Sequence, residues 1–134
     1  MTNQEKVEQF HRAFGLPVDA PWSVNLVDLR EELIREEYEE LIDSFRLVEF
    51  ARNFRGEIPK ELKADLLKEL GDVLYVVYGA AVALGLNVDE AFDIIHKSNM
   101  SKLDDNGHPI YREDGKVLKG PNYQAPDLTS LVKG

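Results

Sequence analysis

The stretch LIREEYEELID, residues 33–43, crowds Glu36, Glu37, Glu39, Glu40 and Asp43 into about three helical turns, with Arg35 as the one offsetting charge. Further along, ELGD adds Glu69 and Asp72. Both groups contain acids three residues apart, E-x-x-E at 37/40 and E-x-x-D at 69/72, a spacing that puts each pair on one ridge of a helix. Carboxylate oxygens gathered in this way suit hard divalent cations, and a lone carboxylate can also act as a general base. Few histidines and no cysteines accompany them, which favours Mg²⁺ or Mn²⁺ over zinc. Neither acidic group contains the Glu-x-x-His signature of di-iron bundles.

Such groups meet only if helices bring them together, and the pattern predicts helices followed by a loop-rich tail. A first helix is expected over Asn3–Phe14, capped by Thr2 or Asn3 and stopped by Gly15 and Pro17. Ser23 reads as the N-cap of a long helix over Val24–Phe54, ended by Gly56 and Pro59. A third helix spans Lys60–Leu84 with Gly85 at its end, and a fourth Asp89–Ser98. In IYREDGKVL, Asp114-Gly115 between two β-compatible runs signals a hairpin. The rest, with Pro121 and Pro126, reads as a tail without regular structure.

Periodicity separates the acids. Leu26, Leu33, Glu40 and Leu47 are seven apart on the long helix and drift only about 20° per step, so Glu40 falls in the stripe that should face the core. Glu37 is one turn back on the same side. On the third helix Leu62, Glu69, Val76 and Ala83 repeat the spacing, with Asp72 on the adjacent ridge. Glu31, Glu32, Glu39 and Asp43 point elsewhere and read as a solvated face. The plain alternative for the inward acids is that they reach water or pair with Arg30, Arg35 or Lys68. Carboxylates inside a bundle are costly without compensation, and antiparallel pairing of the two helices would bring both groups to one level around a shared space.

At 134 residues the chain reads as one domain, 1–134, with a helical core over 1–100 and a covering tail over 101–134. A net charge of −9 argues against nucleic acid as a partner. The apolar run Val73–Leu86 is too short for an ordinary membrane span, and MTNQEKVEQF does not read as a signal peptide. A cytoplasmic protein without membrane association is the expectation.

E-E-x-x-E within EEYEE, followed one helix later by ELGD, resembles the MazG-like all-α nucleoside triphosphate pyrophosphohydrolases, whose relatives include phosphoribosyl-ATP pyrophosphohydrolase and the dimeric dUTPases. FHRAFG near the start, NMSK and GKVLKGPNY also resemble segments of those proteins, so the likeness covers about residues 4–125. The resemblance implies an all-α, four-to-five-helix bundle with a hairpin and loop tail, assembled as a homodimer or a dimer of dimers. It implies Glu37, Glu40, Glu69 and Asp72 as metal ligands, with Glu36 binding a further metal or orienting the attacking water, and two or three Mg²⁺ or Mn²⁺ ions per site. The implied reaction is hydrolysis of a (deoxy)nucleoside triphosphate, dUTP or dGTP foremost, to the monophosphate and pyrophosphate. Divalent ions would let an acidic pocket accept a polyanion and would stabilise the leaving pyrophosphate.

The opposite charge lies in the tail. Lys102, Lys116 and Lys119 read either as surface lysines or as point charges for the β and γ phosphates. Asn99 offers a donor and an acceptor to a sugar hydroxyl or phosphate. For the base, His11 and Trp22 are candidates, although a tryptophan here reads first as a core or staple residue. Tyr75 and Tyr78 follow the E-x-x-D motif and read first as core. The alternatives are phosphoribosyl-ATP as substrate, or a non-catalytic acidic helical oligomeric module.

Overall fold

The computed structural model describes residues 1–134 and is all-α, with a single two-stranded hairpin. Four helices, α1 (Asn3–Ala13), α2 (Val24–Arg55), α3 (Lys60–Leu84) and α4 (Val88–Met100), precede β1 (Ile110–Tyr111) and β2 (Val117–Leu118). A 3-10 turn over Thr129–Leu131 interrupts the tail that the sequence presents as irregular.

Local chemistry sets these limits. Thr2 and Glu5 form a capping box on α1, Thr2 Oγ1 accepting from Glu5 N at 3.1 Å and Glu5 Oε2 from Thr2 N at 3.0 Å. Ser23 Oγ accepts from Leu26 N at 3.2 Å to open α2, and Gly56, at φ 74°, ends it. The start of α4 falls one residue earlier than the sequence suggests, because Asn87 Oδ1 caps Glu90 N at 3.1 Å.

The chain divides into two compact units, Met1–Leu86 and Asn87–Gly134. In the first, α1 and α2 both pack on α3. Its most buried apolar side chains are small or medium: Val7, Leu26, Ala51, Ala81, Val82 and Ala83. Small residues near the end of α3 let its neighbours approach closely. Many larger apolar groups remain at the surface of the chain, among them Leu47, Phe50 and Phe54 on α2 and Leu67 and Leu74 on α3. Leu47, assigned by periodicity to the core stripe, is 56% exposed. The stripe faces packed neighbours at Leu26 and opens to solvent in the C-terminal half of the helix. No single helix is long and apolar enough to cross a membrane.

The segment between α1 and α2 is fastened to the end of α3. Asp19 N and Ala20 N donate to the carbonyls of Val82 and Ala83, both at 2.9 Å, and Trp22 Nε1 donates to Leu84 O at 2.8 Å. These bonds satisfy last-turn carbonyls that a helix leaves without partners. Gly85 closes the turn at φ 70°, and a Cβ there would sit 2.0 Å from Asp19 Oδ1. Gly85→Ala therefore combines a left-handed backbone with a collision. It is expected to lower stability by at least about 1–2 kcal/mol, read as a shift in the urea midpoint with an unchanged slope.

In the second unit, the tail is tied to α4 by serines. Buried Ser98 donates through Oγ to Gln124 O at 2.7 Å, while Ser101 Oγ accepts from Gln124 N at 2.9 Å. The hairpin pairs Ile110 with Leu118 and Tyr111 with Val117. Gly120 N reaches Lys102 O at 2.9 Å, an approach so close that a Cβ on Gly120 would lie 2.5 Å from that oxygen.

Candidate metal centre

The four-residue connection Gly56–Pro59 folds α3 back along α2. The register is antiparallel: Arg30 lies against Gly79, and Glu37 and Glu40 face Glu69 and Asp72. One ligand oxygen from each of Glu37, Glu40 and Glu69 falls within 4.8 Å of the others. Asp72 completes the neighbourhood, acting electrostatically on Glu37.

The acids sit at the edge of the α2–α3 pair and not inside a core. Glu37, Glu69 and Asp72 are half-buried, whereas Glu40, placed by periodicity in the inward stripe, is exposed. Glu36 is also exposed and stands outside the three-carboxylate group. The expected solvated face is solvated: Glu39 and Asp43 are exposed, and Arg35 pairs with Glu31 and Glu32.

Of the cations that could have neutralised the inward acids, only Lys68 does so. Its Nζ lies 2.8 Å from Asp72 Oδ2 and 3.5 Å from Glu69 Oε1, at the solvent edge. The Asp72 contact holds this ammonium above its ordinary pKa. Glu37 Oε2 and Glu69 Oε2 are enclosed and have no hydrogen-bond partner. Burial of Glu37, its hydrogen bond with Glu40, and the charges of Glu40, Asp72 and Glu69 hold its carboxyl above the ordinary 4.5. Orphaned acceptor oxygens in an all-carboxylate group fit a hard divalent cation, which these residues could hold.

A dependence of stability on pH follows. With its folded pKa above 4.5, Glu37 binds more protons folded than unfolded between the two values, so stability falls as pH rises through that window. Asp114 and Asp127, held below 3.8 by hydrogen bonds from Arg112 and Thr129, act only in a lower window. The metal-free protein is expected to melt at a higher temperature just above pH 4.5 than at neutral pH. Differential scanning fluorimetry of wild type and Glu37→Gln checks this, the variant losing that part of the dependence.

The remaining candidates are distributed as follows. Asn99 is exposed on the last turn of α4, and Lys102 is half-buried just beyond it. Lys116 is exposed in the hairpin turn, its backbone N–H bonded to Asp114 Oδ1 at 3.1 Å. Lys119 lies over the ring of Tyr123, Nζ 4.7 Å from the centroid, a cation–π contact that the sequence does not signal. Trp22 is 60% exposed, held by its indole N–H and not by burial. His11 is the reverse, 2% exposed, with Nδ1 2.7 Å from Pro17 O. Tyr78 is half-buried, whereas Tyr75 is exposed and packs edge-on against Phe10.

A helical hairpin that sets E-x-x-E against E-x-x-D belongs to the all-α nucleotide pyrophosphohydrolases. Within that class the chain is a member of the phosphoribosyl-ATP pyrophosphohydrolase family, whose sequence model matches residues 7–99. The match contains all four acids and Asn99 and stops short of Lys102, Lys116 and Lys119. The family consists of acid-anhydride hydrolases that are generally metal-dependent. The chain is also 30% identical over 141 residues to an uncharacterized protein of Acanthamoeba polyphaga mimivirus, covering 98% of this chain and 48% of that protein. It thus spans about half the length of that relative.

Proposed function

We propose that the protein hydrolyses (deoxy)nucleoside triphosphates between the α and β phosphates, releasing the monophosphate and pyrophosphate, with Glu37, Glu40, Glu69 and Asp72 holding Mg²⁺ or Mn²⁺. The observation that carries this reading is the meeting of Glu37, Glu40 and Glu69 oxygens within 4.8 Å, two of the three residues having an enclosed oxygen without a partner. Two or three bound ions would supply charge neutralisation of the phosphate chain and of the departing pyrophosphate. Glu36, exposed beside the group, is suited to orient the attacking water. Asn99, Lys102, Lys116 and Lys119 are assigned to the sugar and the outer phosphates, where flexible ammonium groups serve as point charges.

Deoxynucleotides, dUTP and dGTP first, are the substrates we favour. The apolar groups exposed on α2 and α3 support a homodimer or homotetramer. A cytoplasmic location is proposed with it. The description of the matching family supports a second substrate, phosphoribosyl-ATP, cleaved at the same kind of bond. Pyrophosphate release, measured with Mg²⁺ or Mn²⁺ across all NTPs, all dNTPs and phosphoribosyl-ATP, tests and separates these. No release from any of them, or release that survives removal of divalent metal, would overturn the proposal.

A further inference from the structure

Arg30 is the buried charge that neither the fold nor the carboxylate site uses. It is 7% exposed, its Nε is enclosed without a hydrogen-bond partner, and none of the ion pairs involves it. Burial lowers its guanidinium pKa without removing the charge. A buried guanidinium without an ion pair is costly, and its Nη donors, bonded to nothing in the chain, are free for an acceptor from outside it.

Its neighbour narrows the chemistry. Arg30 Nη1 and His11 Nε2 both lie 3.4 Å from the point beside Gly79 where a side chain would begin, so the two polar tips pack against the same face of that glycine. His11 Nδ1 faces the carbonyl of Pro17, which only accepts, so Nδ1 carries the hydrogen. In the neutral ring Nε2 is then an acceptor, whereas arginine offers donors alone. A donor and an acceptor therefore stand side by side. Arg30 is also seven residues before Glu37 on the same helix, a rise of about 10 Å, the scale that separates a nucleotide's phosphates from its base.

We propose that Arg30, with His11, reads the edge of a nucleobase that presents a carbonyl oxygen next to a ring N–H, as uracil and guanine do. Arg30 donates to the carbonyl and His11 Nε2 accepts from the N–H. Cytosine and adenine present an amino group next to an unprotonated ring nitrogen, so both contacts become donor against donor or acceptor against acceptor. Such a site discriminates strongly, because the wrong base leaves buried polar groups unpaired.

This inference rests on the nucleotide reading above, and its test separates the two. For wild type, kcat/KM for dUTP and dGTP is expected to exceed that for dCTP and dATP by at least about tenfold. Arg30→Met should lower the values for dUTP and dGTP and leave those for dCTP and dATP unchanged or raised, since it removes an unpaired charge and keeps the length of the side chain. A merely structural role for Arg30 would lower all four alike. Arg30→Lys, which keeps the charge and loses the fork, should show a smaller preference than wild type and serves if the methionine variant does not fold. Calorimetry of wild type with dUMP, dGMP, dCMP and dAMP reads the same preference without turnover, so a protein that hydrolyses nothing still answers the question. Equal binding of the four, a preference for cytosine or adenine, or an unchanged preference in the Arg30 variants would overturn the assignment.

Discussion

Replacing Glu40 or Glu69 by glutamine is expected to lower kcat for pyrophosphate release by about 100-fold or more, with the helices intact. Glutamine keeps the shape of the side chain and one acceptor oxygen, so neither α2 nor α3 loses packing. What it removes is one negative charge from a group whose oxygens lie within 4.8 Å of one another. Without metal that removal relieves repulsion, and both variants should melt no lower than wild type. With saturating Mg²⁺ the order should reverse, because the variants lose a ligand. A fold lesion would lower the melting temperature in both conditions, whereas a purely solvated cluster would leave both activity and the metal response unchanged. Full activity in both variants would remove the carboxylates from the reaction. Glu39→Gln and Asp43→Asn, on the exposed face, serve as controls with near wild-type rates.

Much of this arrangement was legible because it is local or periodic. Caps at Thr2 and Ser23 and left-handed glycines at 56 and 85 state the helix limits within a residue or two. Spacing of three within each acidic pair, with one short connection between the helices, was enough to bring Glu37, Glu40, Glu69 and Asp72 together. What the sequence did not show depends on contacts that have no period. Trp22 bonds a carbonyl 62 residues away, and Ser98 fastens a tail 26 residues away. Neither has a signature in composition. A sevenfold step points Leu47 and Glu40 inward, but both are exposed in the folded chain. Periodicity names a face of a helix and leaves open what covers it. Arg30, by sequence a possible partner for the acids, pairs with none of them. Two turns of helix separate it from Glu37, a distance that a shared face conceals.

Metal addition carries the second large effect. Free energy from a ligand that binds only the folded state is about 2.7 kcal/mol at a hundred times its Kd. For a chain of this length that corresponds to a rise in melting temperature of roughly 10 °C. The gain is expected to be strong here because the folded, metal-free protein holds Glu37 in an unfavourable setting, enclosed beside three other acids. Lys68 offsets part of this charge from the solvent edge, bonded to Asp72 and Glu69, and leaves Glu37 and Glu40 uncompensated. NaCl at matched ionic strength acts only through screening, with a Debye length of about 10 Å at 0.1 M, and acts weakly on groups in contact. Mg²⁺ and Mn²⁺ should therefore raise the melting temperature far more than the matched salt, and EDTA should reverse the gain. Glu69→Gln should lose most of it. Lys68→Ala should keep it, and should bind metal more tightly, because no ammonium then competes for Asp72. A rise equal to that given by NaCl, or one that persists in Glu69→Gln, would show that the four acids are a solvated cluster and not a cation site.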